Sequence, residues 1–255
     1  LQANAIHDGL RTQRLGRPLL VYQSVGSTND VAREMAKADA PEGTAALAGE
    51  QTGGRGRKGS AWASPSGGLW LSIVLRPTIP LEAWPLIGFA AGAGVAAALE
   101  SVSGRTIQLK WPNDVILESR KVGGILVESA AGVAILGIGI NVNVELDALP
   151  EDVRRGATTV LASLGRTIDL SVLTRAVLEQ VEHFYDLLSQ DSKAVLRAWR
   201  RRSFLSGRSV QVGSTHMLEG IAEDVDDSGA LLIRTASGVQ PVTVGEVSVR
   251  ETRPR

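Results

Sequence analysis

Three short stretches of this chain carry residues whose types and spacing could do chemistry. The first is Gly54-Arg55-Gly56-Arg57-Lys58-Gly59-Ser60. Its glycines fit the spacing G-x-G-x-x-G, which binds dinucleotides only where a helix starts at once and aims its N-terminus at a pyrophosphate. Here the chain runs on into Trp62-Ala-Ser-Pro65-Ser-Gly67-Gly68, where proline and paired glycines forbid an orderly helix. A phosphate-binding P-loop is excluded as well, because that motif closes on Gly-Lys-Ser/Thr and this one on Lys58-Gly59-Ser60. What remains is three cations on a permissive backbone. Successive amides can form an anion nest, and guanidinium forks add charge-assisted bonds to phosphate or acyl-phosphate oxygens. The plainer alternative is a solvated basic loop.

The second stretch is Lys110-Trp111-Pro112-Asn113-Asp114. Pro112 forces an extended turn and Trp111 is expected to be buried, which fixes the direction of Lys110. An ammonium there could neutralise charge building on a phosphorus or carboxylate oxygen; alternatively it is a surface lysine lying along Trp111. Asn113 and Asp114 read equally well as turn residues. The third is Lys121-Val122-Gly123-Gly124-Ile125-Leu126, echoed by Gly137-Ile-Gly139-Ile-Asn141-Val-Asn143. Glycines inside strands mark either a bulge or the close approach of a ligand or backbone. Asn141 could bond a base edge or phosphate, or cap its strand. Ser27-Thr28-Asn29 offers hydroxyls and an amide at a helix start, where plain N-capping is the simpler reading. Gln51 could read an amide-like ligand.

Other chemistries drop out. With no cysteine there is no disulfide, thiolate zinc site or cysteine nucleophile. His7, His183 and His216 are far apart, and no metal ligand set is expected. No G-x-S-x-G elbow occurs. Lys+Arg and Asp+Glu balance at 27 each, which argues against a chain devoted to gripping nucleic acid. The apolar run Pro85–Leu99 is shorter than the roughly 20 residues a membrane span needs and reads as a buried core helix.

The elements that must position these residues follow from periodicity. Asn29–Ala38 has helical spacing, with Ser27 and Thr28 as cap-type residues. Thr44–Gln51 and Leu69–Leu75 read as strands around the glycine-rich loop. After the apolar helix, which ends near Gly104, come strands at Thr106–Lys110, Val115–Leu117, Val122–Glu128 and Val133–Val142. Glu145–Thr159 reads as a loop, then Leu170–Leu188 and Lys193–Arg202 as helices, the first with Leu170, Leu173, Val177, Val181 and Phe184 on one face. The Arg200–Arg202 run is expected at a helix C-terminus for dipole reasons. From Gly207 short alternating strands take over, with a turn at Asp227-Ser-Gly229. The expectation is an α+β fold: a mixed central sheet flanked by helices over residues 1–205, and a small C-terminal SH3-like β-barrel over 206–255.

Each motif is weak alone, but their order and spacing together resemble the biotin protein ligases. The carriers of the resemblance are S-T-N at 27–29, Q-T-G-G-R-G-R-K-G-S at 51–60, K-W-P-N-D at 110–114, K-V-G-G-I-L at 121–126 and G-I-G-I-N-V-N at 137–143. The tail resembles that family's small SH3-like domain. The resemblance implies a class II synthetase-like catalytic domain and a two-step reaction in the cytoplasm. Biotin's carboxylate attacks the α-phosphate of ATP, with Mg²⁺, giving biotinoyl-5′-AMP and pyrophosphate. A lysine of a carboxylase's biotin carboxyl carrier domain then attacks the mixed anhydride and AMP leaves.

By position, the resemblance assigns Ser27, Thr28, Asn29 and Gln51 to the biotin head group. Arg55, Gly56 and Arg57 become the loop that closes over biotin and adenylate. Lys110 and Arg57 become catalytic, with Lys110 at the reacting carboxylate and phosphate oxygens. Gly54, Trp62, Asn113, Lys121, Gly123, Gly124 and Asn141 are assigned to the nucleotide. The family often carries an arginine where this chain has Ser60, so one phosphate-side cation is missing. The chain starts too close to its S-T-N motif to hold the helix-turn-helix of repressor members, so a ligase without DNA binding is expected, with a homodimer as one possible assembly. The rivals are a lipoate or octanoate ligase and a biotin-responsive repressor.

Overall fold

A computed structural model describes residues 2–130, 132–213 and 217–249; His216, Arg250 and the remaining tail lie outside the described residues. In chain order the elements are α1 (Ala3–His7), β1 (Leu19–Val25), α2 (Thr28–Lys37), β2 (Ala45–Gln51), β3 (Leu69–Leu75), α3 (Pro85–Ser103), β4 (Ile107–Lys110), β5 (Asp114–Leu117), β6 (Arg120–Ala130) and β7 (Val133–Ile140). These are followed by α4 (Glu151–Arg154), α5 (Val160–Leu164), α6 (Leu170–Gln190) and α7 (Ser192–Arg200). The tail holds β8 (Ser209–Val212), β9 (Leu218–Val225), β10 (Leu231–Thr235), β11 (Gly238–Val242) and β12 (Val247–Val249).

Seven strands form one mixed sheet in the order β1-β2-β3-β7-β6-β5-β4, with only β1 and β2 parallel. β3, Leu-Trp-Leu-Ser-Ile-Val-Leu, is buried at every position, as a central strand covered on both faces must be. On one face α2 sets Ala32, Met35 and Ala36 against Val74, Val133 and Ile135. The other face is covered by α3, α6 and α7. α3 starts with Pro85 at its first turn and stops at Gly104, whose φ of 67° is the left-handed conformation glycine adopts without cost. It is long and apolar enough to cross a membrane by composition, but most of it is buried inside this fold. Gly94 lets α3 close on α6, since a β-carbon there would stand 2.8 Å from the Val181 backbone.

Some expectations need correction. The Glu145–Thr159 stretch is not simply a loop. It contains a 3-10 turn at Leu146–Ala148 and the short α4, and leads into α5, whose start is capped by Thr159 accepting from the Ala162 amide at 3.0 Å. β1 went unread because its burial pattern does not alternate. The tail's five strands run antiparallel in the order β11-β10-β9-β8-β12, and among the described residues no pairing closes them into the expected barrel. β11 is an almost wholly exposed edge that includes Pro241, which has no N–H to donate.

Candidate active site

The site lies on the sheet face that α2 covers only in part. Along β7, the alternate residues Val133 and Ile135 lie under α2. The next two positions in that row, Gly137 and Gly139, carry no side chain and let Asn29 and Trp62 lie close against the sheet. Cross-strand register extends this line into a single row, Trp70–Gly139–Gly124–Asp114–Lys110, running across β3, β7, β6, β5 and β4. The two glycines in mid-row make a floor, and Lys110 and Asp114 stand at its far end. The result is a cleft of about 420 Å³.

One end of the cleft is polar. Thr28 is held through its amide and hydroxyl by Gln51 Oε1, at 2.8 and 2.9 Å, while Gln51 Nε2 donates to Ser64 Oγ at 2.8 Å. Ser72 Oγ, rising from β3, lies 2.7 Å from Thr28 Oγ1 and donates to Asn29 Oδ1 at 2.6 Å. Asn29 Nδ2 donates to Glu128 at 2.6 Å. Gly137 is obligatory here, because a β-carbon would collide with Asn29 Oδ1. Ser27 occupies the N-cap position of α2, yet its side chain makes no capping bond and lines the cleft instead. The capping reading of Ser27 therefore does not hold.

The glycine-rich loop forms the rim. It is pinched shut by an Arg55–Ala61 bridge and a 2.8 Å bond from the Gly56 amide to the Ser60 carbonyl. Only a 3-10 turn at Arg57–Gly59 follows, so no helix N-terminus faces a ligand, in line with rejecting the dinucleotide fingerprint. Arg55 forks onto Asp30, at 2.7 and 2.5 Å. That bond holds the Asp30 carboxyl below its usual range and raises Arg55 above its own. Arg57 reaches across to the tail, 3.3 Å from the Gly245 carbonyl, and Lys58 lies 3.9 Å from Glu246. Glu246 and Val247 join the cleft wall, so the tail contributes to the site.

The opposite wall carries the two lysines. Lys121 is paired with Asp114 at 2.6 Å and lies over the Trp62 ring, 4.9 Å from its centre. Trp62 lies against Gly124 and Gly139, and its buried indole N–H has no partner among the described residues. Lys110 has no ion-pair partner among the described residues; burial pulls its ammonium below the usual lysine range, opposed by Asp114 and reinforced by Lys121. Its direction is fixed as expected: Trp111 is buried and its indole donates to the Gly229 carbonyl of the tail at 3.0 Å. Asn113 donates to the Ile125 carbonyl at 2.8 Å, a turn role, while still facing the cleft.

Thus Ser27, Thr28, Asn29, Gln51, Arg55, Gly56, Arg57, Trp62, Lys110, Asn113, Lys121 and Gly124 come together. Gly54, Gly123 and Asn141 do not reach the wall. Gly54 makes room for the Trp62 carbonyl and Ser64, and Gly123 for the Gly139 carbonyl across the ladder. Asn141 is buried behind the floor, donating to the Thr158 carbonyl at 3.3 Å with its own Oδ1 unpartnered. Sequence reasoning missed Asp30, Ser72 and Glu128. Only Ser72 had left a signal, a lone hydroxyl in an otherwise apolar strand. Among the described residues no group of three Asp, Glu or His could hold a metal ion, and Asp30 and Asp114 are each committed to a cation.

An ammonium, a cationic rim and a hydrogen-bonding end around one cleft suit a ligand that carries both phosphate and amide-like groups, and comparison with known proteins gives the class. Residues 21–145 match the biotin/lipoate A/B protein ligase family, and residues 205–250 match the biotin protein ligase C-terminal domain. The chain is 33% identical over 253 residues to the biotin–[acetyl-CoA-carboxylase] ligase of Mycobacterium tuberculosis, covering 93% of each chain. It is 32% identical over 257 residues to the bifunctional ligase/repressor BirA of Bacillus subtilis, covering 98% of this chain and 79% of that one. The solved biotin protein ligase from Aquifex aeolicus in complex with biotin and ATP superposes with a TM-score of 0.81 at 30% identity, over 94% of this chain and all of that one. The chain belongs to the biotin protein ligase family.

Proposed function

We infer that the protein is an ATP-dependent biotin protein ligase that makes biotinoyl-5′-AMP and passes the biotinoyl group to a lysine of a carboxylase's carrier domain. The observation that carries the reading is the glycine floor, with a hydrogen-bonding pocket at one end and the Lys110 ammonium at the other. In the first step a biotin carboxylate oxygen bonds to the α-phosphorus of ATP as the bond to pyrophosphate breaks. Lys110 faces the charge that gathers on those oxygens, and its partial burial strengthens the attraction over that in bulk water. Lys121, fixed by Asp114 and Trp62, supplies a second positive charge. Arg57 and the rim shelter the anhydride from water. In the second step the carrier's amine attacks the acyl carbon, AMP leaves, and the amine gives up a proton.

The polar end favours biotin over lipoate. Ser27, Thr28, Asn29 and Gln51 line that end with hydroxyl and amide groups, which suit a ureido group with both donors and acceptors better than an apolar dithiolane that could make no hydrogen bond to them. The acidic residues of the cleft do not make a protein cage for Mg²⁺. The ion is proposed to arrive on the ATP phosphates.

Balanced charge and the absence of cysteine support a cytoplasmic enzyme acting without nucleic acid or membrane. A homodimer is proposed through β6, whose residues 126–130 run beyond the reach of β5 and have no strand on that side among the described residues. Sedimentation at micromolar concentration tests it, with a monomer refuting it. Biotin-dependent ATP–pyrophosphate exchange, with lipoate and octanoate as controls, tests the activity. Lys110→Ala is expected to abolish exchange with an unchanged circular dichroism spectrum, and undiminished exchange would refute the role given to Lys110.

A further inference from the structure

We propose that Asp30 is a positioning residue for this reaction, anchoring Arg55 so that the rim loop is folded before biotin arrives. Asp30 stands in the first turn of α2, beside Asn29 but outside the cleft wall. Its two oxygens take both terminal nitrogens of Arg55, at 2.7 and 2.5 Å. Asp30 is in turn held by Arg33 at 2.5 Å. Arg33 reaches Glu128 at 3.0 Å, the carboxylate that also receives the Asn29 amide. The chain Arg55–Asp30–Arg33–Glu128–Asn29 therefore runs around the polar end and returns to it, tying the rim loop to the biotin pocket.

The other rim cations are held differently. Among the described residues, Arg57 has a single carbonyl at 3.3 Å, and Lys58 approaches only Glu246, itself 81% exposed, at 3.9 Å. A guanidinium whose terminal fork is filled by a carboxylate has its charge offset there and keeps only its remaining N–H groups for phosphate. Arg55 also sits at the loop's root, where the bridge to Ala61 closes it. The geometry thus divides the labour: Arg55 is the fixed root, and Arg57 is the arm free to meet the adenylate.

The inference rests on the ligase reading, and its test separates the two. Asp30→Asn, Arg55→Met, the double variant and the parent are compared by three measurements. These are tryptic cleavage after Arg57 and Lys58 without ligand, biotin affinity by calorimetry, and kcat of pyrophosphate exchange at saturating substrate. Asp30→Asn is expected to speed cleavage and weaken biotin binding by about tenfold, the scale of one charge-assisted bond. Its kcat stays near the parent value. Arg55→Met is expected to speed cleavage and weaken biotin binding to a similar degree, and in these two measurements the double variant is no worse than either single one. Parental cleavage and affinity in Asp30→Asn would overturn the proposal, as would single effects that multiply in the double variant. Tighter ATP binding in Asp30→Asn would also overturn it, since Asp30 would then compete with phosphate for Arg55. A parent protein with no biotin-dependent exchange sinks the ligase reading, while the cleavage comparison still reports on the grip of Asp30.

Discussion

Ser72→Ala isolates what a single buried hydroxyl does for the biotin pocket. Ser72 is fully buried in β3 and, among the described residues, is the only partner of Asn29 Oδ1 and one of two partners of the Thr28 hydroxyl. Alanine fills nearly the same space, so little cavity forms and the loss is almost purely of hydrogen bonding. Thr28 keeps Gln51, but Asn29, itself 5% exposed, is left with an unpaired acceptor. Leaving a buried acceptor unmade costs about 1–3 kcal/mol. For a chain of this size that lowers the unfolding midpoint by roughly 2–4 °C per kcal/mol. With its acceptor released, Asn29 is free to turn on its Glu128 bond, and biotin must re-order it on binding. If about 1.4 kcal/mol of the loss falls on the ligand step, biotin affinity drops about tenfold. Calorimetric unfolding with and without biotin, together with a biotin titration, measures both quantities. An unchanged midpoint and an unchanged affinity would refute the argument that Ser72 organises the polar end.

Three further outcomes are expected. Lys110 has its pKa lowered by burial, so its charged form is lost at lower pH than the ordinary lysine value of 10.5. The alkaline limb of kcat/KM for pyrophosphate exchange should fall below pH 10.5 in the parent and move up in Lys110→Arg, and an unmoved limb would contradict the assignment. The same shift makes protonated Lys110 a destabilising contribution at low pH that is relieved as pH rises through its folded value. Gly137→Ala drives a methyl group into Asn29 Oδ1 and is expected to cost about 1–3 kcal/mol and to impair biotin binding, readable by melting and titration. Arg57→Gly removes the free rim arm and should shorten the lifetime of the trapped adenylate, seen as labelling of bystander lysines; a lifetime equal to the parent's counts against the rim as a lid.

The chain alone determined the elements with strong periodicity and the chemistry of its motifs. α3 was legible because an all-round apolar helix bounded by Pro85 and Gly104 has only one way to be buried. The glycine-rich loop was legible because Pro65, Gly67 and Gly68 deny it a following helix. Sequence order could not reveal which residues share a face. Register decided that: it put Gly139, Gly124, Asp114 and Lys110 in one row, while displacing Gly123, one residue from Gly124, to the other side of the same strand. Side chains on a strand alternate at every step, so neighbours in the motif part company in space. Asp30, Ser72, Glu128 and Glu246 carry no motif of their own. They belong to the site only because α2, the sheet and the tail fold together there, and no local pattern encodes a meeting between residues so far apart along the chain.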